Sequence, residues 1–276
     1  MPRTTAPGDE IALTGPRRRA WLTSDERSVV YRRGDVVVRK AAPWAPTIHS
    51  LLRHLEDAGF AASPRVVGSG FDPDGRETVS YIEGEFTHPG PWTLDGAAAV
   101  GQMVRELHDA TATFHPAPDA TWSPWLGRDL GGPTRIISHC DVAPWNIVAR
   151  DGLPVALIDW ELAGPVDPLV ELAQACWLNA KLHDDIVAEL EGLPPLAERA
   201  GQLRAMVDAY GLSAAQRHGM FDQIVEFIVH DTAFQADDAE VTPDSTDPEA
   251  LRGLAWRARA GAWMLRNRRT FENALS

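Results

Sequence analysis

Three oxygen-bearing side chains, Asp141, Asn146 and Asp159, fall between Ser138 and Glu161 among apolar residues that favour strands. A carboxylate in such surroundings is costly unless a hydrogen bond, an opposite charge or a metal ion compensates it. Asp151-Gly152-Leu153-Pro154 is a turn signal between the apolar runs Ile147-Val148-Ala149 and Val155-Ala156-Leu157-Ile158. A hairpin centred between Gly152 and Leu153 brings Asn146 and Asp159 side by side at its open end. Asp141 sits on the preceding loop, which Pro144 keeps out of regular structure. Two converging oxygen ligands with a further carboxylate beside them suit a hard cation such as Mg²⁺. Such an ion takes few protein ligands and completes its shell with phosphate oxygens and water.

These residues need elements to carry them. Before the motif, Ser28 to Arg32 and Val36 to Arg39 read as a tight hairpin around Arg33-Gly34-Asp35. Pro46-Thr47 reads as a helix start with Thr47 as N-cap, Ile48, Leu51, Leu52 and Leu55 as its apolar face, and Gly59 as its stop. Pro64 to Gly68 and Glu77 to Ile82 read as strands around an Asp72-Pro73-Asp74-Gly75 turn. Residues 84–92 are rich in breakers and form a connector. Helical periodicity then runs from Leu94 to His108 and, after the motif, over 167–182, 195–211, 213–236 and 248–273. An acidic, turn-rich loop joins the last two.

His139-x-Asp141-x4-Asn146, followed by Ile158-Asp159-Trp160-Glu161, resembles the aminoglycoside phosphotransferase and choline kinase-like group of small-molecule kinases. The resemblance implies an α+β, bilobal protein-kinase-like fold. Residues 1–85 would form a small antiparallel-sheet lobe for nucleotide, and 86–276 a larger, mainly helical lobe for catalysis and acceptor. Asp141 would be the catalytic base, and Asn146 and Asp159 the Mg²⁺ ligands. His139 would organise the loop, and Asp167, in Asp167-Pro168, would brace it through hydrogen bonds. Val36 to Arg39 falls where this fold ends a strand in its phosphate-pairing lysine. That assigns Arg39 to the phosphates, with Lys40 sharing the role, and arginine can hold phosphate oxygens bidentately. Ser80, Tyr81 and Ile82 resemble the hinge whose backbone reads the nucleotide base. Two positions depart from the pattern. The phosphate-covering loop falls near residues 22–28, which contain no glycine, and His49 stands where an ion-pairing glutamate is expected.

The implied activity moves the γ-phosphoryl of ATP or GTP to a hydroxyl of an aminoglycoside, a related antibiotic or an amino alcohol. Trp145 and Glu161 would meet the acceptor, with Asp231, Asp237 and Asp238 as further carboxylates for an amine-bearing one. Trp44, Trp92 and Trp160 also fall near loops, whereas Trp177, Trp256 and Trp263 suit packing. A formal net charge of −13 disfavours nucleic acid as a partner and favours cationic small molecules. Two cysteines cannot make a disulfide framework, which fits a reducing cytoplasm. There is no run of about 18 apolar residues for a membrane span and no apolar core for a signal peptide. The two departures favour a rival reading, a non-catalytic kinase-like binding or scaffold protein. A second rival, a metal-dependent hydrolase with His139, Cys140 and Asp141 as ligands, is disfavoured. Adjacent ligands on one short loop suit a tetrahedral zinc site poorly.

Overall fold

In a computed structural model that describes residues 10–13 and 30–276, five antiparallel strands form one sheet. They are β1 (Glu10–Ala12), β2 (Tyr31–Arg33), β3 (Val36–Arg39), β4 (Val66–Phe71) and β5 (Glu77–Ser80), in the order β1-β2-β3-β5-β4. The β2–β3 hairpin turns on Gly34-Asp35, in register with Arg33 opposite Val36. Ser28 and Val29, at the start of the expected first strand, and residues 22–28 lie outside the described residues.

Helix α1 (Ala45–Asp57) buries Ile48, Leu51, Leu52 and Leu55, each contributing about 1.5–3 kcal/mol on leaving water. Its start corrects the expected cap. The N-cap is Trp44, and Pro46 sits inside the first turn, where a missing N–H breaks no helical bond. The Thr47 hydroxyl instead accepts from Thr121 N–H. Gly59 follows the helix in a left-handed conformation, φ 81°, as expected.

Beyond the connector the chain is mainly helical: α2 (Leu94–Thr111), α3 (Pro168–Asn179), α4 (Asp185–Glu191), α5 (Leu196–Tyr210), α6 (Ala214–Asp238), α7 (Pro248–Arg266) and α8 (Arg268–Leu275). Helix α2 packs on α5, and α6 packs on α3 and α7. The short α4 escapes periodicity because it buries none of its side chains; Asp184 caps it and Gly192 ends it. The single helix expected over 248–273 is two, broken at Asn267, whose amide donates to Trp263 O. A side chain bonding its own backbone in this way competes with helix continuation. Among the described residues no helix is long and apolar enough to cross a membrane.

Two small antiparallel pairs sit between sheet and helices: β6 (Ile136–Ser138) with β9 (Gly164–Val166), and β7 (Ile147–Arg150) with β8 (Leu153–Leu157). The β7–β8 turn is Asp151-Gly152, both left-handed, one residue earlier than the composition suggests. A bulge beyond Val148 pairs it with Ala156 and so recovers part of the offset. Ile158 N–H then donates to Asn146 O, and Asp159 follows directly.

Candidate active site

The β6–β9 pair closes the two ends of the motif on each other, Ser138 opposite Gly164. Within that closure the His139 ring is a strut. Asp141 N–H donates to its Nδ1 at 3.2 Å, so Nε2 carries the proton and donates to Ile158 O at 2.9 Å. Burial pushes the His139 pKa down against the pull of Asp141 and Glu171. With both nitrogens occupied the ring has no lone pair for a metal. The neighbouring Cys140 thiol is held protonated by burial and by Glu171, which together push its pKa well up. Neither residue suits the zinc-ligand reading.

Asp141 is held at both oxygens. Asn146 Nδ2 donates to Oδ2 at 2.8 Å and to the Asp141 carbonyl at 3.1 Å, while Gln174 Nε2 lies 3.4 Å from Oδ1. The brace expected from Asp167 comes from elsewhere. The Asp167 carboxylate accepts from Leu169 N–H, capping α3, and from Gly132 N–H. The 138–146 loop is instead held by residues further along α3. Glu171 accepts from Cys140 N–H and Ser138 Oγ, and Asn179 Nδ2 donates to Val142 O. Glu171 also meets His108 Nε2 at 2.5 Å, and His108 Nδ1 meets the Tyr210 hydroxyl at 2.8 Å. Burial alone would raise the Glu171 pKa; His108, Ser138 and the Cys140 amide more than offset it, and the carboxylate stays ionised. Arg128 ties the segment after Asp159 by donating to Leu162 O and Pro165 O.

Asp159 ends β8 in the left-handed region, φ 64°, as does Cys140. Aspartate tolerates that conformation better than most residues. The turn breaks the strand alternation and starts a 3-10 turn, Trp160–Leu162. Asp159 Oδ1 accepts from Arg39 Nη1 at 3.0 Å, the contact that joins the sheet to the motif. Arg39 Nε also pairs with Glu77, whose second oxygen lies 3.0 Å from His49 Nε2. The Arg39 pKa is raised: burial pulls it down, and Glu77 and Asp159 outweigh the burial. Burial would raise Glu77, but Arg39 and His49 hold it at about 2. The carboxylate that pairs Arg39 therefore comes from β5, where His49 of α1 offers none.

A cleft of about 210 Å³ lies between sheet and helices. Arg39, Asp141, Asn146 and Asp159 line it, and Val37, Val79, Val148 and Ile158 give it apolar walls. Ser80, Tyr81, Ile82, Trp145 and Glu161 line it too. Lys40 does not; it lies with Trp44 and Glu161 around a smaller recess. Ser80 N–H is taken by Arg65 O and Tyr81 N–H by Asp35 O, so of the three expected hinge amides Ile82 N–H is the one without a backbone acceptor among the described residues. Gly84 approaches β7 so closely that a Cβ would lie 2.4 Å from a Val148 methyl. There Glu85 and Ala149 exchange both backbone hydrogen bonds. Trp92 and Trp160 are buried with Trp177 and Trp263 in the core. Asp231 is paired with Arg257 at 2.6 Å, and Asp237 and Asp238 lie exposed at the end of α6.

The donor set suits a hard cation. Asn146 commits its NH₂ to Asp141, leaving its amide oxygen as the ligand atom, and Asp159 supplies a carboxylate. Among the described residues no group of three or more His, Cys, Asp or Glu forms a metal cage. Two protein oxygens would rely on phosphates and water for the rest of the shell.

The model of the phosphotransferase enzyme family matches residues 120–199, which contain Asp141, Asn146 and Asp159. The chain is 54% identical over 268 residues to the trifolitoxin immunity protein of Rhizobium leguminosarum bv. trifolii, covering 97% of this chain and 99% of that one. Its fold is that of protein-kinase-like small-molecule kinases. The amicoumacin kinase hAmiN, solved with AMP-PNP, Ca²⁺ and amicoumacin, superposes with a TM-score of 0.63 at 13% identity, covering 93% of this chain and 89% of that one. A choline/ethanolamine kinase family protein from Mesorhizobium loti gives 0.58 at 19% identity, covering 98% and 92%.

Proposed function

Because the chain belongs to the phosphotransferase enzyme family, we propose that it moves the γ-phosphoryl group of ATP or GTP to a hydroxyl of a small molecule. The observation that carries this reading is that Asp141, Asn146, Asp159 and Arg39 line one cleft, with Arg39 on Asp159 and Asn146 on Asp141. Asp141 would accept a hydrogen bond from the acceptor hydroxyl and take its proton as the oxygen bonds to the γ-phosphorus and the bond to the β–γ bridging oxygen breaks. Little early proton removal is needed, since phosphoryl transfer depends on positioning and charge stabilisation. Asn146 and Asp159 would hold Mg²⁺, which when bound neutralises phosphate charge. Arg39 would hold phosphate oxygens, and Ile82 N–H the base.

The acceptor we infer is an antibiotic or toxin, disabled once phosphorylated. The similar protein of Rhizobium leguminosarum is an immunity protein against trifolitoxin, and amicoumacin kinase hAmiN was solved with amicoumacin bound. Trp145, partly exposed in the cleft beside Asp141, would pack against the acceptor, and Glu161 would meet a cationic group on it. The two lobes would divide at residue 85, where the connector meets β7. A cytoplasmic setting suits both the nucleotide supply and the two buried free thiols, Cys140 and Cys176. Non-catalytic sequestration of the toxin is the second reading, favoured by the glycine-free stretch 22–28.

Thermal unfolding with ATP, GTP or neither, with and without Mg²⁺, separates the two. A nucleotide at 100 times its Kd adds about 2.7 kcal/mol. A shift that needs Mg²⁺ and disappears in Asp159→Asn, followed by a phosphorylated acceptor, supports the kinase. No shift with either nucleotide supports sequestration.

A further inference from the structure

We propose that Glu77 is the positioning residue for Arg39, doing from strand β5 what the family resemblance assigns to a glutamate on the helix after Arg39. The proposal rests on the phosphoryl-transfer reading above. Arg39 and Glu77 are direct register partners across β3 and β5, so the sheet itself sets their side chains against each other. One Glu77 oxygen takes Arg39 Nε and the other takes His49 Nε2, which leaves the carboxylate no free rotation. His49 and Glu77 are both buried.

A third element completes the clamp. The His49 ring lies on β4, its centroid 4.8 Å from that of Phe71, and a Cβ on Gly70 would come within 2.4 Å of His49 Nδ1. Gly70 also has φ +95°, which other residues rarely adopt. His49 Nδ1 is buried without a partner, so the tautomer that fits carries its proton on Nε2 and donates it to Glu77. Bare backbone at Gly70, ring at His49 and carboxylate at Glu77 thus form one assembly behind a single guanidinium. With Nε on Glu77 and Nη1 on Asp159, the third nitrogen of the fork, Nη2, is the one a phosphate oxygen can meet. A clamp carried on a helix is lost when the helix swings away. Here the Arg39–Glu77 pair is set by sheet register, while α1 contributes the His49 hold on the second Glu77 oxygen, and Arg39 is held in place before nucleotide arrives.

The test is a double-mutant cycle read by equilibrium binding of ATP-Mg²⁺, by calorimetry, in wild type, Glu77→Gln, Arg39→Met and the double variant. If Glu77 acts through Arg39, Glu77→Gln weakens binding about tenfold with Arg39 present and less than about twofold in Arg39→Met. Gly70→Ala, which removes no charge and displaces His49 from Glu77, weakens binding severalfold, again only with Arg39 present. Should Glu77→Gln fail to fold, the Gly70→Ala arm decides between the outcomes by itself. Equal losses in both backgrounds, or no loss from either substitution, overturn the proposal. A wild type that binds neither ATP nor GTP overturns the kinase reading instead, a result distinct from any in the cycle.

Discussion

Two buried, ionised acids, Glu77 in the cleft wall and Glu171 beneath the 138–140 segment, are built in different ways. Glu77 is fixed by strand register and serves one guanidinium. Glu171 stands on a helix and gathers three partners from two other segments: Ser138, Cys140 N–H and His108. A register pair is local, and its loss leaves the sheet's backbone ladder in place. A hub is shared, so its loss unpairs several buried groups at once and releases the 138–146 loop. Damage at Glu171 is therefore expected in folding, and damage at Glu77 in binding.

The largest break is Glu171→Ala. Removing one member of a buried, charge-bearing network costs about 3–5 kcal/mol, and denaturant unfolding should show that loss with activity falling in parallel. A folded, fully stable Glu171→Ala would mean the hub carries no structural load. Next comes Asp141→Asn, which should lower phosphoryl transfer by a factor of about 10²–10⁴ while nucleotide-induced thermal stabilisation persists. Retained turnover would remove Asp141 from the role of base. Smaller again is Gly84→Ala, where overpacking against Val148 and Ala149 costs about 1–3 kcal/mol, seen as a lower Tm; an unchanged Tm would show that the contact relaxes freely.

The smallest effect is in pH. Burial and Lys181 lower the His88 pKa from 6.5 to about 4, and burial lowers His139 and His183 as well. Below pH 6.5 the unfolded chain binds these protons and the folded chain does not, so stability falls as pH drops from 6.5 towards 4. Glu77 has the opposite chemistry and another window. Its folded pKa of about 2 lies below the usual 4.5, so its stabilisation persists above 4.5 and is lost only as pH falls towards 2. Unfolding free energies from about pH 7 to 4 should decline, and His88→Asn should flatten part of that slope. A slope that begins only below pH 4.5 would assign it to carboxylates.

The same contrast explains what can be read from sequence. The β7–β8 hairpin and the convergence of Asn146 and Asp159 follow from local turn chemistry and period-two patterning, with an error of one residue at the turn. Helices with a clear apolar face, such as α1, are legible from Ile48 to Gly59. Glu77 is not, because the carboxylate on Arg39 comes from 38 residues away in the sequence, and cross-strand pairing depends on a register no local pattern sets. Glu171 leaves a fainter signal. In a helix buried nearly all round, Glu171 and Gln174 stand three residues apart among apolar neighbours, and polar groups in that setting need partners. Asp167 stands out by its place before Pro168; that place makes it a helix cap, one oxygen taking Leu169 N–H and the other Gly132 N–H.

The exchange of hydrogen bonds between Glu85 and Ala149 gives the molecule a fulcrum. It ties the connector to β7 directly beyond Gly84 and Val148, which line the cleft together with Ile82. A small rotation about such a point moves nearby atoms little and distant ones much, as along a lever arm. Residues 80–82, expected to read the base, would keep their geometry through that rotation while β1 and β2, at the far edge of the sheet, travel furthest.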